Sequence, residues 1–586
     1  MKQFLITVAG VLVGLFLFAV LAPILVLGVL AGASRPAPTP DRTVLALDLR
    51  GGLTDQTPQN PLSFLSGRGQ SVTAIEETLR RAESDERVKG LFVRLPETGM
   101  SPGSADELRL AFQDFRAHGK FVTVHSQGLY AEGVVTSTYE LAAASGDVWM
   151  QPASAFQVTG LANEDLFFKR LFDRYGVVAD YQQRYEFKNA INPYLYDDYT
   201  PAHRTAELSW MGSVYDTAIA DVAADRGRPA PMIKALIEAG PYSAEDALAK
   251  GLIDHVGQVE EARAAVVAKA GPDAKLVDFG DYQDRARAGG GFGPKIAVIS
   301  AEGAIMTGRG GGTSPLGGEA TIHSDDVSKA FHDAIDDSAV KAIVFRVSSP
   351  GGSDTASEQI LAAVRAAKAA GKPVVVSMGT YGASGGYWIS SDANEIVAEP
   401  STLTGSIGVF GGKFVLGPAL AKWGVDMRGL SVGGPYAGSS GAAQAMTPDQ
   451  RAQFSAWMDR IYNGFVGRVA QGRRLPVARV QEIARGRVWT GAQAKALGLV
   501  DSLGGFYQAV DRAKALAKIS GQVRLETFGG GGTAIEAIQR MLGGQTWSAP
   551  LAGLDVDPEM RLVLQTARDA RLRAEGATVL APSPFR

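Results

Sequence analysis

The residue best suited to chemistry in this sequence is Ser384, which lies in the glycine-rich turn Gly-Ala-Ser-Gly-Gly-Tyr-Trp at residues 382–388. An apolar run at residues 373–377 precedes the turn, and residues that can begin a helix follow it. Several hydrolase folds expose a nucleophile on such a strand-to-helix turn, with helix N-terminal amides nearby to hold an oxyanion. A glycine-rich turn in which the serine only caps a helix is the alternative interpretation of this stretch alone.

A second glycine turn lies upstream of the first. The apolar run at residues 342–347 ends in Ser-Ser-Pro-Gly-Gly, and Gly352 can let the backbone turn so that an amide points into a cleft. Two strands that each end in a glycine turn place both turns at the carboxyl edge of a parallel sheet, where open α/β sheets hold their sites. We therefore predict that Ser384 is an exposed nucleophile and that Gly352 and Gly385 form the oxyanion hole.

A serine nucleophile needs a proton acceptor, and no histidine follows Ser384 in the chain. His323 and His332 could act only by folding back towards it. The alternative is a lysine whose pKa is lowered by burial, and Lys188 lies among aromatic and apolar residues. The matching part of the second half contains no lysine, so a lysine base would come from the first half. A surface lysine with a buried stem remains the other interpretation of Lys188.

These residues sit on alternating strand and helix patterns, which predict parallel βαβ units. The order of elements repeats after the glycine-rich stretch at residues 285–293, and matching sequences recur at a nearly constant separation. Tyr139 corresponds to Tyr387, and the Gly-Leu-Ile-Asp sequence at 251–254 to Gly-Leu-Val-Asp at 498–501. The chain therefore contains two copies of one domain-sized unit, which is an internal duplication.

The duplication gives the predicted domain boundaries. We assign residues 43–284 to an N-terminal repeat, 294–525 to a C-terminal repeat, and 526–586 to a partly disordered tail. The two repeats differ chemically, because the place of Ser384 is taken in the first repeat by the Tyr-Ala-Glu-Gly-Val sequence at 130–134, or by Thr136 when the tyrosines are aligned. The serine chemistry is thus confined to the second repeat.

An apolar segment opens the chain. Between Phe4 and Ala33 the only polar residue is Thr7, and this length can span a bilayer. A cleaved signal peptide is the alternative, but its apolar core is normally only about 7–15 residues long. We favour an uncleaved transmembrane anchor at residues 4–33. Lys2 precedes it, so the positive-inside rule places the amino terminus in the cytoplasm and the rest of the chain across the membrane.

Composition excludes several classes of function. The 586 residues carry a net charge of −3, which gives no basic surface for nucleic acid, so no nucleic-acid partner is expected. There is no cysteine, and hence no thiol nucleophile and no zinc–thiolate site. The Gly-Gly-Lys-Phe sequence at residues 411–414 lacks the Ser or Thr of a phosphate-binding loop. The glycine-rich stretch at 308–318 is consistent with a mobile loop or a lid.

The serine motif, the Ser-Pro-Gly-Gly turn, the Thr-Gly-Ser-Ile-Gly stretch at 404–408 and the duplication together resemble the long bacterial form of the signal peptide peptidase A family. The resemblance covers about residues 1–525. It implies an α/β fold of two tandem Clp/crotonase-like repeats with mostly parallel sheets behind one N-terminal transmembrane helix. It also implies that Ser384 is the nucleophile, Lys188 the general base and Ser406 the residue that orients the lysine. The sequence departs from the family at Asn189, where serine is more usual.

The same resemblance implies a cellular setting. Members of the family are single-pass proteins of the bacterial inner membrane with periplasmic catalytic domains, and they form homotetramers. They are serine endopeptidases that degrade residual signal peptides, and neither a cofactor nor a metal ion is expected. Two alternatives remain open: a crotonase-like acyl-CoA enzyme, which would not need Ser384, and a catalytically inactive membrane scaffold.

Overall fold

The computed structural model describes residues 38–56, 70–287, 293–310, 320–529 and 579–580. The predicted anchor at residues 4–33 lies outside these ranges, as do most of the predicted tail and most of the glycine-rich stretch at 308–318. Within the ranges described, none of the helices combines the length and the apolarity that crossing a membrane requires.

The first half of the described chain alternates strands and helices. Its strands are β1 (Thr43–Asp48), β2 (Leu53–Thr54), β3 (Gln70–Ser71), β4 (Val88–Arg94), β5 (Phe121–Ser126), β6 (Val148–Met150), β7 (Ala155–Phe156), β8 (Val178–Gln183), β9 (Tyr242–Ser243), β10 (His255–Val256) and β11 (Lys275–Asp278). Its helices are α1 (Val72–Glu83), α2 (Pro102–Ala117), α3 (Val135–Ser145), α4 (Lys169–Tyr175), α5 (Asn192–Leu195), α6 (Pro201–Arg226), α7 (Ala230–Glu238), α8 (Ala244–Ala249), α9 (Val259–Ala270) and α10 (Phe279–Arg287).

The second half repeats this alternation. Its strands are β12 (Lys295–Glu302), β13 (Ala304–Met306), β14 (Thr321–His323), β15 (Val340–Ser349), β16 (Gly351–Gly352), β17 (Val374–Ala383), β18 (Glu395–Ala398), β19 (Leu403–Gly405), β20 (Phe410–Val415), β21 (Val488–Thr490), β22 (Ser502–Leu503), β23 (Arg524–Phe528) and β24 (Val579–Leu580). Its helices are α11 (Ser324–Asp336), α12 (Asp354–Ala369), α13 (Gly385–Ser390), α14 (Gly417–Ala421), α15 (Pro448–Arg473), α16 (Val477–Ile483), α17 (Gly491–Ala496) and α18 (Phe506–Leu516).

Each half is built around a mainly parallel sheet. The first sheet has the strand order β10-β6-β5-β4-β1-β11, and all of its pairings are parallel. The second sheet contains the matching order β22-β18-β17-β15-β12-β23, and β19 and the antiparallel β21 continue from β17. The two halves therefore share one topology, as the internal duplication predicts. Strand β23 crosses the predicted boundary at residue 525.

Local sequence explains the helix ends and the buried strands. Ser71 accepts a hydrogen bond from the amide of Ala74 at the start of α1, and Thr447 forms a reciprocal capping box with Gln450 at the start of α15. Strand β15 is buried at nine of its ten positions, as expected for a parallel strand with helices on both faces. Each half has its own hydrophobic core, which supports the division into two repeats.

A two-stranded ribbon joins the halves. Strand β8 of the first half pairs antiparallel with β20 of the second, from Val178 opposite Val415 to Gln183 opposite Phe410. The pairing continues into the chain after β8, because the amide of Arg184 donates to the carbonyl of Val409 at 2.9 Å. The segment that follows β8 is thereby held against the second half.

A buried ion-pair network also joins the halves. Arg346, on β15, is fully buried, and its Nε lies 3.0 Å from Oδ2 of Asp55 in the first half. Its Nη1 donates to Oε1 of Glu107 on α2 at 2.9 Å and to Oγ of Ser377 on β17 at 2.8 Å. Glu107 also accepts a hydrogen bond from the amide of Phe506 at the start of α18. Two carboxylates of the first half thus share one guanidinium of the second as their partner.

Replacing Arg346 by methionine should destabilise the protein. The variant leaves Asp55 and Glu107 buried without a cation, which should lower the free energy of unfolding by about 3–5 kcal/mol. Urea denaturation followed by tryptophan fluorescence measures the change. Arg428→Met is the control, because Arg428 pairs with Asp426 on the surface with its side chain 81% exposed, and such pairs contribute only about 0–1 kcal/mol. Equal effects of the two substitutions would contradict the importance of the buried network.

Candidate active site

Ser384 occupies the turn between β17 and α13. Its φ of 56° and ψ of −116° are unusual for a residue with a side chain, and such strain clusters at functional sites. Two hydrogen bonds hold this backbone: the Ser384 amide donates to the carbonyl of Gly405 at 2.8 Å, and the Trp388 amide donates to the Ser384 carbonyl at 2.9 Å. The geometry is the strand-to-helix turn that the sequence predicts.

The exposure of Ser384 differs from the prediction. The sequence predicts an exposed hydroxyl, because small residues surround it, but the structure buries the residue completely. The glycine neighbours instead allow other parts of the protein to approach closely, and Lys188 lies directly against the hydroxyl. A substrate must therefore enter a packed site and not an open surface.

Lys188 comes from the first half, in the segment that follows β8. It is fully buried, and its Nζ lies 2.8 Å from Oγ of Ser384. The same nitrogen lies 2.9 Å from Oγ of Ser406 and 3.0 Å from the carbonyl oxygen of Ser406. The structure thus brings together the three residues to which the sequence analysis assigned catalytic roles, although 196 positions separate Lys188 from Ser384.

The surroundings of Lys188 favour its neutral form. Burial lowers the pKa of its amine well below the usual range, since removal from water penalises the ammonium ion. A neutral amine has two N–H groups and one lone pair. The carbonyl oxygen and Oγ of Ser406 can accept the two N–H groups, which leaves the lone pair directed at the hydroxyl of Ser384. The three contacts therefore match the bonding capacity of a proton acceptor.

Ser406 is itself held by the backbone around it. It follows β19 with a φ of 49°, and its amide donates to the carbonyl of Arg487 at 2.7 Å. Gly405, directly before it, has a φ of 72°, and a Cβ at that position would lie 2.9 Å from the ring of Trp489. The turn that presents Ser406 to Lys188 thus depends on a glycine and on the neighbouring strand β21.

Residues 485–487, which we call the clamp, contact both sides of the site. The amide of Phe187 donates to the carbonyl of Arg485, and the amide of Gly486 donates to the carbonyl of Ile407 at 2.9 Å. Arg485 also forms a two-pronged ion pair with Glu186. The clamp therefore links the segment that carries Lys188 to the segment that carries Ser406.

Sequence reasoning did not identify the clamp. Gly486 has a φ of 82°, and a Cβ on it would lie within 2.6–2.7 Å of the backbone N and Cα of Lys188. A signal was present in the duplication, because the position of Gly486 is occupied by Ala239 in the first half. A glycine introduced in one repeat only, next to two arginines, marks a place where another part of the chain approaches closely.

The two predicted oxyanion glycines lie side by side. A Cβ on Gly385 would lie 3.0 Å from the amide nitrogen of Gly352, and a Cβ on Gly352 would lie 2.1 Å from the carbonyl oxygen of Ile305. Neither position can therefore accept a side chain without displacing the backbone. The structure places both glycines next to Ser384, at the carboxyl edges of β15 and β17.

A short strand from the end of the chain lies on the same glycines. Strand β24 pairs antiparallel with β16, with Leu580 opposite Gly351 and Val579 opposite Gly352. The edge of β16 that faces away from β13 therefore pairs with an extended segment through the main chain.

The corresponding place in the first half contains no such site. Thr136 stands where Ser384 does, and its hydroxyl donates to the carbonyl of Gly160 at 3.0 Å. Of the two histidines considered as bases, His323 ends β14 and contacts Thr321, and His332 lies within α11. The hydrogen-bond partner of the Ser384 hydroxyl that the structure shows is Lys188.

A serine on a strand-to-helix turn at the carboxyl edge of a mainly parallel sheet, beside two glycine turns, defines the class of serine hydrolases. The profile of Peptidase family S49 matches the chain twice, at residues 116–272 and 366–520. The chain belongs to this peptidase family, with one match in each repeat, and is a serine protease.

Relatives extend the similarity over most of the chain. Protease 4 of Salmonella typhi is 35% identical over 504 residues, which are 82% of this chain and 79% of that protein. Protease 4 of Haemophilus influenzae is 30% identical over 541 residues, 88% of this chain and 85% of its own length. The chloroplastic serine protease SPPA of Arabidopsis thaliana is 28% identical over 81% of this chain and 69% of its own. A protease is therefore favoured over the acyl-CoA enzyme that the sequence left open.

Substitution of Gly486 should lower peptide hydrolysis although Gly486 packs against the backbone of Lys188 and not against its amine. In Gly486→Ala the new methyl group displaces Lys188, so kcat should fall by about 100-fold, as for a misplacement of about 1 Å, while KM changes little. Steady-state kinetics on a peptide substrate measures both constants. Gly498→Ala is the matched control, because Gly498 has a similar φ of 78° but meets only the side chain of Leu475. An equal loss in the control would assign the effect to backbone strain.

Proposed function

We propose that the protein is a serine endopeptidase in which Ser384 is the nucleophile and Lys188 the general base, with Ser406 orienting the lysine. The observation that carries this proposal is the distance of 2.8 Å between Nζ of Lys188 and Oγ of Ser384 in a fully buried setting. A neutral lysine at hydrogen-bond distance from a serine can take its proton as the serine attacks a carbonyl carbon.

The reaction then follows from the positions of these groups. Oγ of Ser384 bonds to the carbonyl carbon of the peptide as its proton passes to Nζ of Lys188. The negative charge on the carbonyl oxygen is stabilised by the amides of Gly352 and Gly385, which act as the oxyanion hole. The ammonium of Lys188 then returns the proton to the leaving amine, and an acyl-enzyme remains. Water releases the acyl group, with Lys188 again accepting a proton.

Ser406 completes the arrangement by fixing the direction of the lysine. Its two oxygens both lie at hydrogen-bond distance from Nζ, so they hold the two N–H groups of the neutral amine. Without them the amine could rotate its lone pair away from Ser384. This role resembles that of the third member in other serine protease sites, which orients the base.

The substrates that we propose are extended peptides, and in particular the signal peptides that remain after secretion. The antiparallel pairing of β24 with Gly351 and Gly352 supports binding of an extended main chain next to Ser384. The choice of signal peptides rests on the family resemblance and on the apolar segment at residues 4–33, which would anchor the protein in a bacterial inner membrane with its repeats in the periplasm. On the same grounds we propose a homotetramer.

Two substitutions test the assignment of Ser384 and Lys188. Ser384→Ala should abolish labelling by a fluorophosphonate probe and lower peptide hydrolysis by about 10⁴-fold or more. Lys188→Arg should be comparably inactive, because a guanidinium stays charged and cannot accept a proton. Lys413→Arg is the control: Lys413 lies on β20, where its Nζ donates to the carbonyl of Gly441 and contacts none of the three site residues, and it should be replaceable. Substantial peptide hydrolysis by Lys188→Arg, or a wild-type protein that the fluorophosphonate probe does not label, would contradict the proposed mechanism.

The dependence of activity on pH should follow the lysine. Because only the neutral amine accepts a proton, kcat/KM should rise with pH through the lowered pKa of Lys188 and then level off. The profile should be recorded from about pH 6 to 10, which brackets a lysine pKa lowered from about 10.4. A rise centred near the usual histidine pKa of about 6.5, shifted by substitution of His323, would contradict the role of Lys188.

Stability should depend on pH in the same direction. Between the lowered pKa in the folded state and about 10.4 in the unfolded state, the unfolded chain binds one more proton, so the free energy of unfolding rises with pH. Lys188→Met should flatten this dependence, which thermal unfolding at several pH values measures.

A further inference from the structure

Three carboxylates meet between the helices of the first half, far in sequence from the serine and lysine. They are Asp106 on α2, Glu140 on α3 and Asp221 on α6, and one oxygen of each lies within 4.8 Å of the other two. Asp106 is 3% exposed and Glu140 is fully buried, while Asp221 is partly buried. We call these three residues the carboxylate cluster.

The buried carboxylate of Glu140 has no hydrogen-bond donor among the described residues to offset its burial. Both of its carboxylate oxygens are buried, and neither has a hydrogen-bond donor among the described residues. A buried carboxylate without a donor or a counter-ion is costly, so native structures supply one or the other. Its oxygens face Asp106 and Asp221, two further acceptors. Either a shared proton or a cation from outside the surrounding side chains must therefore relieve the arrangement.

The neighbouring cation does not provide enough charge. Arg109 lies 3.2 Å from Asp221 through Nη1, but its Nε donates to Asp225 at 2.7 Å, so it is shared between two carboxylates. Asp106 accepts hydrogen bonds from the amide of Ser401 at 2.8 Å and, at 3.4 Å, from its hydroxyl, which are neutral donors. Desolvation accordingly raises the pKa of Asp106 to about 6 and the pKa of Glu140 further above its usual value. Arg109 alone therefore cannot balance the three carboxylates of the cluster when all three are ionised.

We propose that the carboxylate cluster binds a calcium ion. Calcium takes carboxylate oxygens at about 2.3–2.6 Å, so two oxygens on one ion can be up to about 5 Å apart, which the spacing of the cluster satisfies. An all-oxygen set of ligands selects hard cations, and magnesium usually keeps several waters and binds through only one or two carboxylates. The family resemblance implied no metal ion, and the sequence alone could not show this cluster because its three carboxylates come from separate helices.

The position of the cluster gives the ion a structural role. Asp106 holds the amide of Ser401, which lies in the connection between β18 and β19. Strand β19 leads directly to Gly405 and Ser406 in the active site. A bound ion would therefore tie α2, α3 and α6 of the first half to the segment of the second half that presents Ser406 to Lys188.

The test measures calcium binding separately from proteolysis. The full-length Ser384→Ala protein is used, since it cannot digest itself, after removal of metals with a chelator. We expect calcium chloride at pH 7.5 to raise the melting temperature in a saturable way, and titration calorimetry to give one ion per chain. Magnesium chloride should give a smaller shift. Because the readout is binding and not activity, its failure leaves the proposed peptidase mechanism untouched.

Substitutions locate the ion. Glu140→Gln removes one ligand charge and should weaken calcium binding by at least about tenfold. Asp221→Asn is a second variant with the same expected effect, should the first fail to fold. Glu76→Gln is the control, because Glu76 is also buried, its Oε2 has no hydrogen-bond donor in the described chain, and it is outside the cluster. It should bind calcium as the parent does.

Two outcomes would overturn the proposal. One is the absence of any calcium-dependent shift in the parent protein. In that case shared protons neutralise the cluster, and stability should instead rise as the pH falls and become less dependent on pH in Glu140→Gln. The other is an equal calcium response in Glu140→Gln, Asp221→Asn and the parent, which would place the ion elsewhere.

Discussion

In the proposed mechanism, removal of water from the amine of Lys188 is the condition on which the rest of the site depends. A hydrated lysine is protonated near neutral pH and cannot accept the proton of Ser384. No single repeat encloses the amine. The ribbon of β8 and β20 carries Lys188 across from the first half, and a Cβ on Gly408 or Gly486 of the second half would lie within 3.2 Å of it. Close packing of glycine backbone from the second half against Lys188 thus helps to keep solvent away from it.

The duplication explains why two similar halves perform different tasks. Both kept the same strand order, but the position of Ser384 is Thr136 in the first half, where the hydroxyl is occupied by the carbonyl of Gly160. The first half supplies Lys188 to the site in the second half, and it supplies the carboxylates of Asp55 and Glu107 to the buried Arg346. Arg346 of the second half is fully buried, and its partners Asp55 and Glu107 belong to the first half. Neither half can therefore keep these charged groups paired without the other.

Much of the fold could be predicted from the sequence because its signals are local. Apolar runs predicted β15 and β17 to within about two residues at their amino-terminal ends, and glycine turns marked Ser384 and Gly352. Lys188 was found by its apolar neighbours and by family resemblance. The clamp and the carboxylate cluster could not be found in this way, because their members lie far apart in sequence and meet only through packing. Burial of Ser384 was missed for the same reason: the group that covers it lies 196 residues earlier.

The order of the two halves along the chain has a consequence for biosynthesis. A ribosome makes Lys188 long before Ser384, and until the second half folds the lysine is in water, charged and without a serine to activate. The serine, when it emerges, has an ordinary hydroxyl until β20 pairs with β8. In the proposed mechanism, proteolytic competence therefore arises last, as a property of the finished molecule. A nascent chain would lack the proposed pair of Ser384 and Lys188 until its second half has folded.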